Sequence, residues 1–168
     1  MRIVQKSSPN QGARPLGTIV DTIVLHADAS PTADASVSWI VSPKSQVSYH
    51  VLVDREGTVY TFVPIQRRAW HAGVSSFQGR PNCNDYSIGL AFANKNDGVE
   101  PYTDAQYAVG AALCASYMRL HRAITLDRIT THAIVSPGRK TDPKGFDLDA
   151  FRALVQQELD TPELRPAA

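Results

Sequence analysis

The chain is poor in cysteine, in net charge and in long apolar runs, and each shortage closes off a class of protein. Two cysteines, Cys83 and Cys114, occur in 168 residues. They are too few for a disulfide framework, and neither lies in a CxxC pair. A reduced compartment is the simpler reading, with one bridge between them left open. The formal net charge of +1 gives no electrostatic case for a nucleic acid or an anionic membrane as partner. No run approaches the ~20 apolar residues of a membrane span, so no membrane insertion is expected. The opening segment "MRIVQKSSPNQGARPLG" has no apolar stretch of signal-peptide length, and cytosolic synthesis is the expectation. Internal repeats and low-complexity tracts are absent as well.

What is there reads as one domain of ordinary globular composition, long enough for its own core. Residues 1–17 are polar with Gly and Pro and are expected to form an N-terminal arm. The folded domain is expected over 18–160 and a frayed tail over 161–168. "TIVDTIVLHA" is a near-continuous apolar run rich in β-branched residues, hence a buried strand ending at His26. Ser30 or Asp34 would cap a short helix after it. "VSYHVLVDREGTVYTFVP" predicts a hairpin turning at "DREGT". On it Val47, Tyr49, Val51 and Val53 share one face, and Ser48, His50, Leu52 and Asp54 the other. "DYSIGLAFA" is a further buried strand. Thr103 and Gln106 form a capping-box pattern opening a helix. Its inward stripe is Tyr107, Gly110, Ala111, Cys114, Tyr117 and Met118, small enough at its middle to lie close on a sheet. Asp147 caps a last helix with Leu148, Phe151, Leu154 and Val155 inward. The expected fold class is α/β: a central mixed sheet of about five strands flanked by helices.

Five histidines are the chemistry-bearing residues that stand out. His121 sits at a helix C-terminus, where the dipole favours a cation, and reads as structural. His50 points to the face opposite Tyr49 and reads as a hydrogen-bonded interior residue. His26 and His132 each end a predicted strand, and ends of neighbouring strands converge on one rim. The segment "THAIVSPGRKTDPKGFD" cannot be one helix, because Pro137, Gly138 and Pro143 break it. It is a loop leaving the strand "RITTHAIV", and it carries Lys140 and Asp142. His26, His132 and Asp142 would make a His₂Asp set with an open fourth position, as catalytic zinc requires. The same residues also fit an ordinary solvated loop, and spacing alone does not separate the two.

The motifs "IVLHADAS", "VSYHVLVDREGTVY", "RRAWHAGVSSFQGRPNCNDYSIGL", "PYTDAQY" and "THAIVSPGRKTDPKGFD" resemble, in order, those of the zinc-dependent N-acetylmuramoyl-L-alanine amidases. That family includes phage lysozyme amidases, muropeptide-recycling amidases and peptidoglycan recognition proteins. The resemblance runs from about residue 18 to 155 and is most specific in pairing "AWHAGVS" with "SPGRKTDP". It implies a peptidoglycan-recognition/amidase-like fold and a Zn²⁺ ion on His26, His132 and Asp142. It places Lys140 and Tyr49 at catalytic positions and His71 on the cleft wall. Trp70, Arg80, Asn84 and Arg139 match positions near the glycan–peptide binding region.

One position departs. Recycling-type members carry glutamate at the end of the motif that here reads "SIGLA", where this chain has Ala91, and Asp97 and Glu100 lie in a loop without a matching motif. Tyr49 is present where the recycling branch can lack it. On this mixture the resemblance implies metal-assisted hydrolysis of the bond between N-acetylmuramic acid and L-alanine, by a monomer. The enzyme would be a phage or prophage endolysin released onto the cell wall. The alternatives are a cytosolic amidase acting on recycled muropeptides and a binding module that holds peptidoglycan without cutting it. The presence of all three ligand positions argues against the binding module; the absent glutamate argues for it.

Overall fold

Strands form in this chain where β-branched apolar residues run together, and the longest such runs end up at the centre. The computed structural model describes residues 1–161; the expected tail lies, after Thr161, outside them. In chain order the elements are β1 (Ile3–Gln5), β2 (Gln11–Ala13), β3 (Thr22–Ala27), α1 (Ala33–Ile40), β4 (Val51–Val53), β5 (Val59–Thr61), β6 (Arg67–Ala69), β7 (Ser76–Phe77), β8 (Arg80–Pro81), β9 (Ser87–Phe92), α2 (Asp104–Leu120), β10 (Ile129–Thr131), α3 (His132–Val135) and α4 (Leu148–Asp160). Six strands make one mixed sheet in the order β1-β5-β4-β9-β3-β10. Within it β4 and β5 are antiparallel and the other neighbours parallel. The pairs β2–β6 and β7–β8 are small antiparallel ribbons.

The sixth strand comes from the segment expected as an arm. Residues 1–17 are extended but built into the fold: β1 is an edge strand of the sheet, and Ser8 and Asn10 are buried. Ser8 Oγ donates to the Ile40 carbonyl at 2.6 Å, and Asn10 Nδ2 donates to Ser42 O at 2.9 Å. These side chains satisfy carbonyls that the end of α1 would leave orphaned. A polar sequence is therefore a buried one here, which apolar patterning does not reveal.

The two faces of the sheet do different jobs. Ile23, Leu25, Ile88, Leu90 and Phe92 face α2 and α4, where they pack with Ala111, Cys114, Phe151 and Val155. Gly110 permits the close approach of α2: a Cβ there would stand 2.8 Å from the Phe92 ring. The capping box of Thr103 and Gln106 and the Asp147 cap form as expected. Alternation turns Val24, His26 and Ala91 to the opposite face, toward α1 and the long loops. That face carries the chemistry.

Two local expectations are corrected. The cap of α1 is Thr32, whose Oγ1 accepts from Ala35 N, in place of Ser30 or Asp34. Ser30 is occupied one turn earlier, where its N–H donates to Asp28 Oδ1. In the hairpin, Tyr49 does not share a face with Val51 and Val53. Pairing begins only at Val51; the chain bends at His50, and the Tyr49 ring packs with Leu52 instead. Period-two alternation holds only inside a regular strand.

Candidate metal centre and cleft

Parallel pairing sets the site. The register of β10 on β3 matches Thr131 to Leu25, so the next residues, His132 and His26, stand side by side at the sheet rim. His132 opens α3, whose cap is Thr131. Asp142 returns on the following loop, tied down by Ala133 N donating to its carbonyl at 2.9 Å. His26 Nδ1 lies 3.2 Å and His132 Nδ1 3.1 Å from Asp142 Oδ2. The ligand atoms of the three residues lie within 4.8 Å of one another, and all three side chains are buried. Ligand bonds of about 2.0–2.1 Å at tetrahedral angles would place donors roughly 3.3–3.4 Å apart. The two histidine–carboxylate spacings suit a zinc-sized ion.

Each histidine also has its second nitrogen engaged, as ligands need for orientation. His132 Nε2 donates to Ala72 O at 3.2 Å, and His26 Nε2 faces His71 Nδ1 at 3.0 Å. Burial lowers the His26 pKa to about 4 against the opposing pull of Asp142. Burial also pushes His71 well below the ordinary histidine value, with His26, His50 and His132 adding to it. Burial acts to raise Asp142, but the His132 and His26 rings against its carboxylate outweigh it and hold the carboxyl well below its usual range. Neutral imidazoles and a carboxylate are the protonation states a metal takes.

The cluster opens into a cleft of about 340 Å³. Tyr49, Trp70, His71, Arg139 and Lys140 line it together with His132 and Asp142, while His26 lies buried behind them. The Tyr49 ring stands 5.1 Å from that of His26. Burial, with Asp142 and Asp28 nearby, raises its pKa, so the phenol keeps its proton. Lys140 is exposed on the loop.

Three expected binding residues have partners within the protein. Arg80 pairs with Asp21 and lies over the Tyr86 ring at 3.9 Å. Asp21 precedes β3 at the end opposite His26, about 16 Å away at strand rise. Asn84 is spent as a brace, its Oδ1 accepting from His71 N at 3.0 Å and Ala72 N at 2.8 Å. Arg139, though on the cleft wall, donates to the carbonyls of Ala72 and Val74. It holds the loop facing it.

Sequence reading missed Trp39, Val47 and Asp28, which also line the cleft. Trp39 is 55% exposed, and an apolar residue on the outer side of a short helix gave the only signal. His50, read as interior, is fully buried and accepts from Gly89 N at 2.9 Å. Ala91 pairs in register with His26 and is fully buried among Val37, Ile40 and Leu52.

The family model described as N-acetylmuramoyl-L-alanine amidase matches residues 16–145. The 1,6-anhydro-N-acetylmuramyl-L-alanine amidase AmpD of Salmonella typhimurium (strain LT2) is 37% identical over 166 residues, 88% of this chain and 87% of that protein. AmpD of Escherichia coli K12 is 35% identical over 169 residues, 90% of this chain and 91% of the relative. A crystal structure of a selenomethionine AmpD derivative superposes with a TM-score of 0.77 at 37% identity, covering 92% of this chain and 93% of that one. With its His–His–Asp cluster intact at the mouth of this sheet, the chain belongs to the N-acetylmuramoyl-L-alanine amidase family.

Proposed function

We propose that this amidase depends on zinc and acts on soluble 1,6-anhydro muropeptides, cutting between the lactyl group of the muramic acid and L-alanine. The observation that carries the substrate form is the 37% identity, over nearly the whole length of both chains, to amidases named for the 1,6-anhydro sugar. A second support is the likeness to AmiD of E. coli, solved with anhydro-N-acetylmuramic acid-L-Ala-D-gamma-Glu-L-Lys: TM-score 0.74, 26% identity, 84% of this chain and 60% of that one. The endolysin reading has less behind it. A catalytic domain of XlyA, at 24% identity, shares the fold and carries no further argument.

His26, His132 and Asp142 would hold zinc, which when bound supplies an acidified water and a Lewis acid for amide hydrolysis. Lys140 brings a positive charge to the cleft beside these residues, where it offsets charge developing on the lactyl carbonyl oxygen. Tyr49 holds its proton on the wall next to His26 and hands it toward the departing amine. Trp70, Trp39 and Val47 offer an apolar wall for the sugar and its lactyl methyl. Arg139 and Asn84 keep the 71–74 loop in place, so that the wall keeps its shape.

The test compares products from soluble anhydro muropeptides and from intact sacculi, with and without a chelator. Rapid release of free peptide from the soluble substrate and little from sacculi is expected. Preference for sacculi would reinstate the endolysin reading, and full activity after metal removal would refute the zinc site.

A further inference from the structure

We propose that His71 is a positioning residue for His26, the end of a directional hydrogen-bond chain that fixes which ring nitrogen of His26 faces the metal. The inference rests on reading the His–His–Asp cluster as a zinc site. Its direction follows from donor counting. The Cys83 carbonyl can only accept, and Ser87 Oγ lies 2.5 Å from it. The single hydroxyl proton of Ser87 therefore points there. Ser87 Oγ then meets His71 Nε2, at 3.2 Å, as an acceptor. A neutral imidazole has one N–H, so His71 Nδ1 is left as an acceptor. It faces His26 Nε2 at 3.0 Å, which must carry the proton. His26 Nδ1 is thereby a lone pair aimed at Asp142 Oδ2 and the neighbouring His132.

The backbone is shaped to admit this chain. Gly89 lies in the middle of β9, paired with Val24 of β3. A Cβ at that position would stand 2.5 Å from Cγ of His71, inside any tolerated contact. The ring lies against bare backbone, nearly perpendicular to that of His26 at 85° and 5.1 Å between centroids. His132 is oriented by a backbone carbonyl alone; His26, deep in the sheet, has no carbonyl there and uses a side-chain relay. His71 is thus a support beneath the site more than a contact for substrate.

The experiment measures zinc affinity by chelator competition on the full-length protein, with ¹⁵N shifts of the His26 ring in the zinc-loaded state. His71→Phe keeps an aromatic ring and removes the acceptor; zinc affinity should fall by about 10–100-fold. His71→Asn, which offers an acceptor oxygen near the position of Nδ1, should recover much of it. Ser87→Ala leaves His71 packed and removes only the direction of the chain, so it stays informative if His71→Phe misfolds. It should weaken zinc several-fold and mix the His26 tautomers, and Ser87→Thr should restore both. Wild-type affinity and tautomer in both His71→Phe and Ser87→Ala would overturn the role of His71 while leaving the zinc site standing. Failure of the unsubstituted protein to bind zinc would overturn the site and the inference together.

Discussion

Replacing Arg14 with methionine should unfold this protein more readily than almost any substitution outside the core, although Arg14 lies in the segment that sequence patterning left as an arm. Its guanidinium donates to the carbonyls of Ile65 at 2.9 Å, Asn84 at 3.1 Å, Asp85 at 2.7 Å and Ser87 at 2.9 Å. Burial lowers its pKa only to about 10, so it is charged at neutral pH. Hydrogen bonds to charged groups contribute roughly 1.5–3 kcal/mol each when measured singly, and they do not add. Arg14→Met leaves buried carbonyls without a donor, at about 1–3 kcal/mol for each unsatisfied group, so a total of about 3–5 kcal/mol is expected once non-additivity is allowed for. With an m-value of about 2 kcal/mol per molar urea, the midpoint should drop by roughly 1.5–2.5 M. Arg14→Lys should recover little, because an ammonium cannot reach four carbonyls in a planar fork. The loss should spread to the site, since the Asn84 turn that Arg14 clamps holds the backbone of His71 and Ala72. Zinc affinity should therefore fall in the same variant. A midpoint shift below about 0.5 M urea, or normal zinc binding in a destabilised variant, would refute this reasoning.

Tyr49→Phe keeps the ring against His26 and should lower kcat by about 10²–10⁴-fold, the usual cost of a lost proton donor, with zinc content unchanged; a rate within a few-fold of the parent removes the phenol from the reaction. Lys140→Met should lower kcat with little change in KM, because the charge it offsets exists only in the transition state; steady-state kinetics beside Arg139→Met, expected to loosen the 72–74 loop and raise KM, separates the two. In metal-free protein, His26 titrates at about 4 when folded and near 6.5 when unfolded. The unfolded chain thus binds the extra proton between those values, and stability present above pH 6.5 should be lost as pH falls toward 4. The slope is at most about 1.4 kcal/mol per unit from this residue, and a flat urea midpoint across that window would contradict it. The folded-state pKa of Asp142 is depressed too, so its contribution is lost only below the unfolded carboxylate value near 3.9. Gly110→Ala should cost about 1–3 kcal/mol through contact with the Phe92 ring, read by urea unfolding; neutrality would mean α2 can lift from the sheet freely.

How much of this was legible in the sequence depends on whether a residue works through burial or through partners. The strands β3 and β9 and the helices α2 and α4 announce themselves because apolar periodicity is a direct record of burial. The pairing of His26 with His132 was legible as two strand ends, and Asp142 as a proline-braced loop. Residues that work through polar partners leave a weaker mark. Arg80, Asn84 and Arg139 looked like substrate contacts because they are polar residues in loops near the motifs. In the structure Asn84 and Arg139 satisfy N–H and C=O groups of the 71–74 loop, Arg139 also lines the cleft, and Arg80 pairs with Asp21. No periodicity marks such a role. The arm escaped notice for the same reason: its buried residues, Ser8 and Asn10, are polar and pair with carbonyls.

Ala91 shows how position and chemistry come apart. In the sheet it is the cross-strand neighbour of His26 on one side and Leu52 on the other, so a longer acidic side chain there would stand beside a ligand. Its surroundings are Val37, Ile40, Leu52 and Phe62, and an ionised carboxylate among them would carry a desolvation cost of several kcal/mol unless it reached the metal site. The apolar row that makes Ala91 suitable is also the row on which the Tyr49 ring packs. That packing holds the phenol un-ionised against His26. An apolar floor and a protonated phenol are therefore mutually consistent features of one wall. Ala91 and the un-ionised Tyr49 thus belong to one apolar wall beside His26.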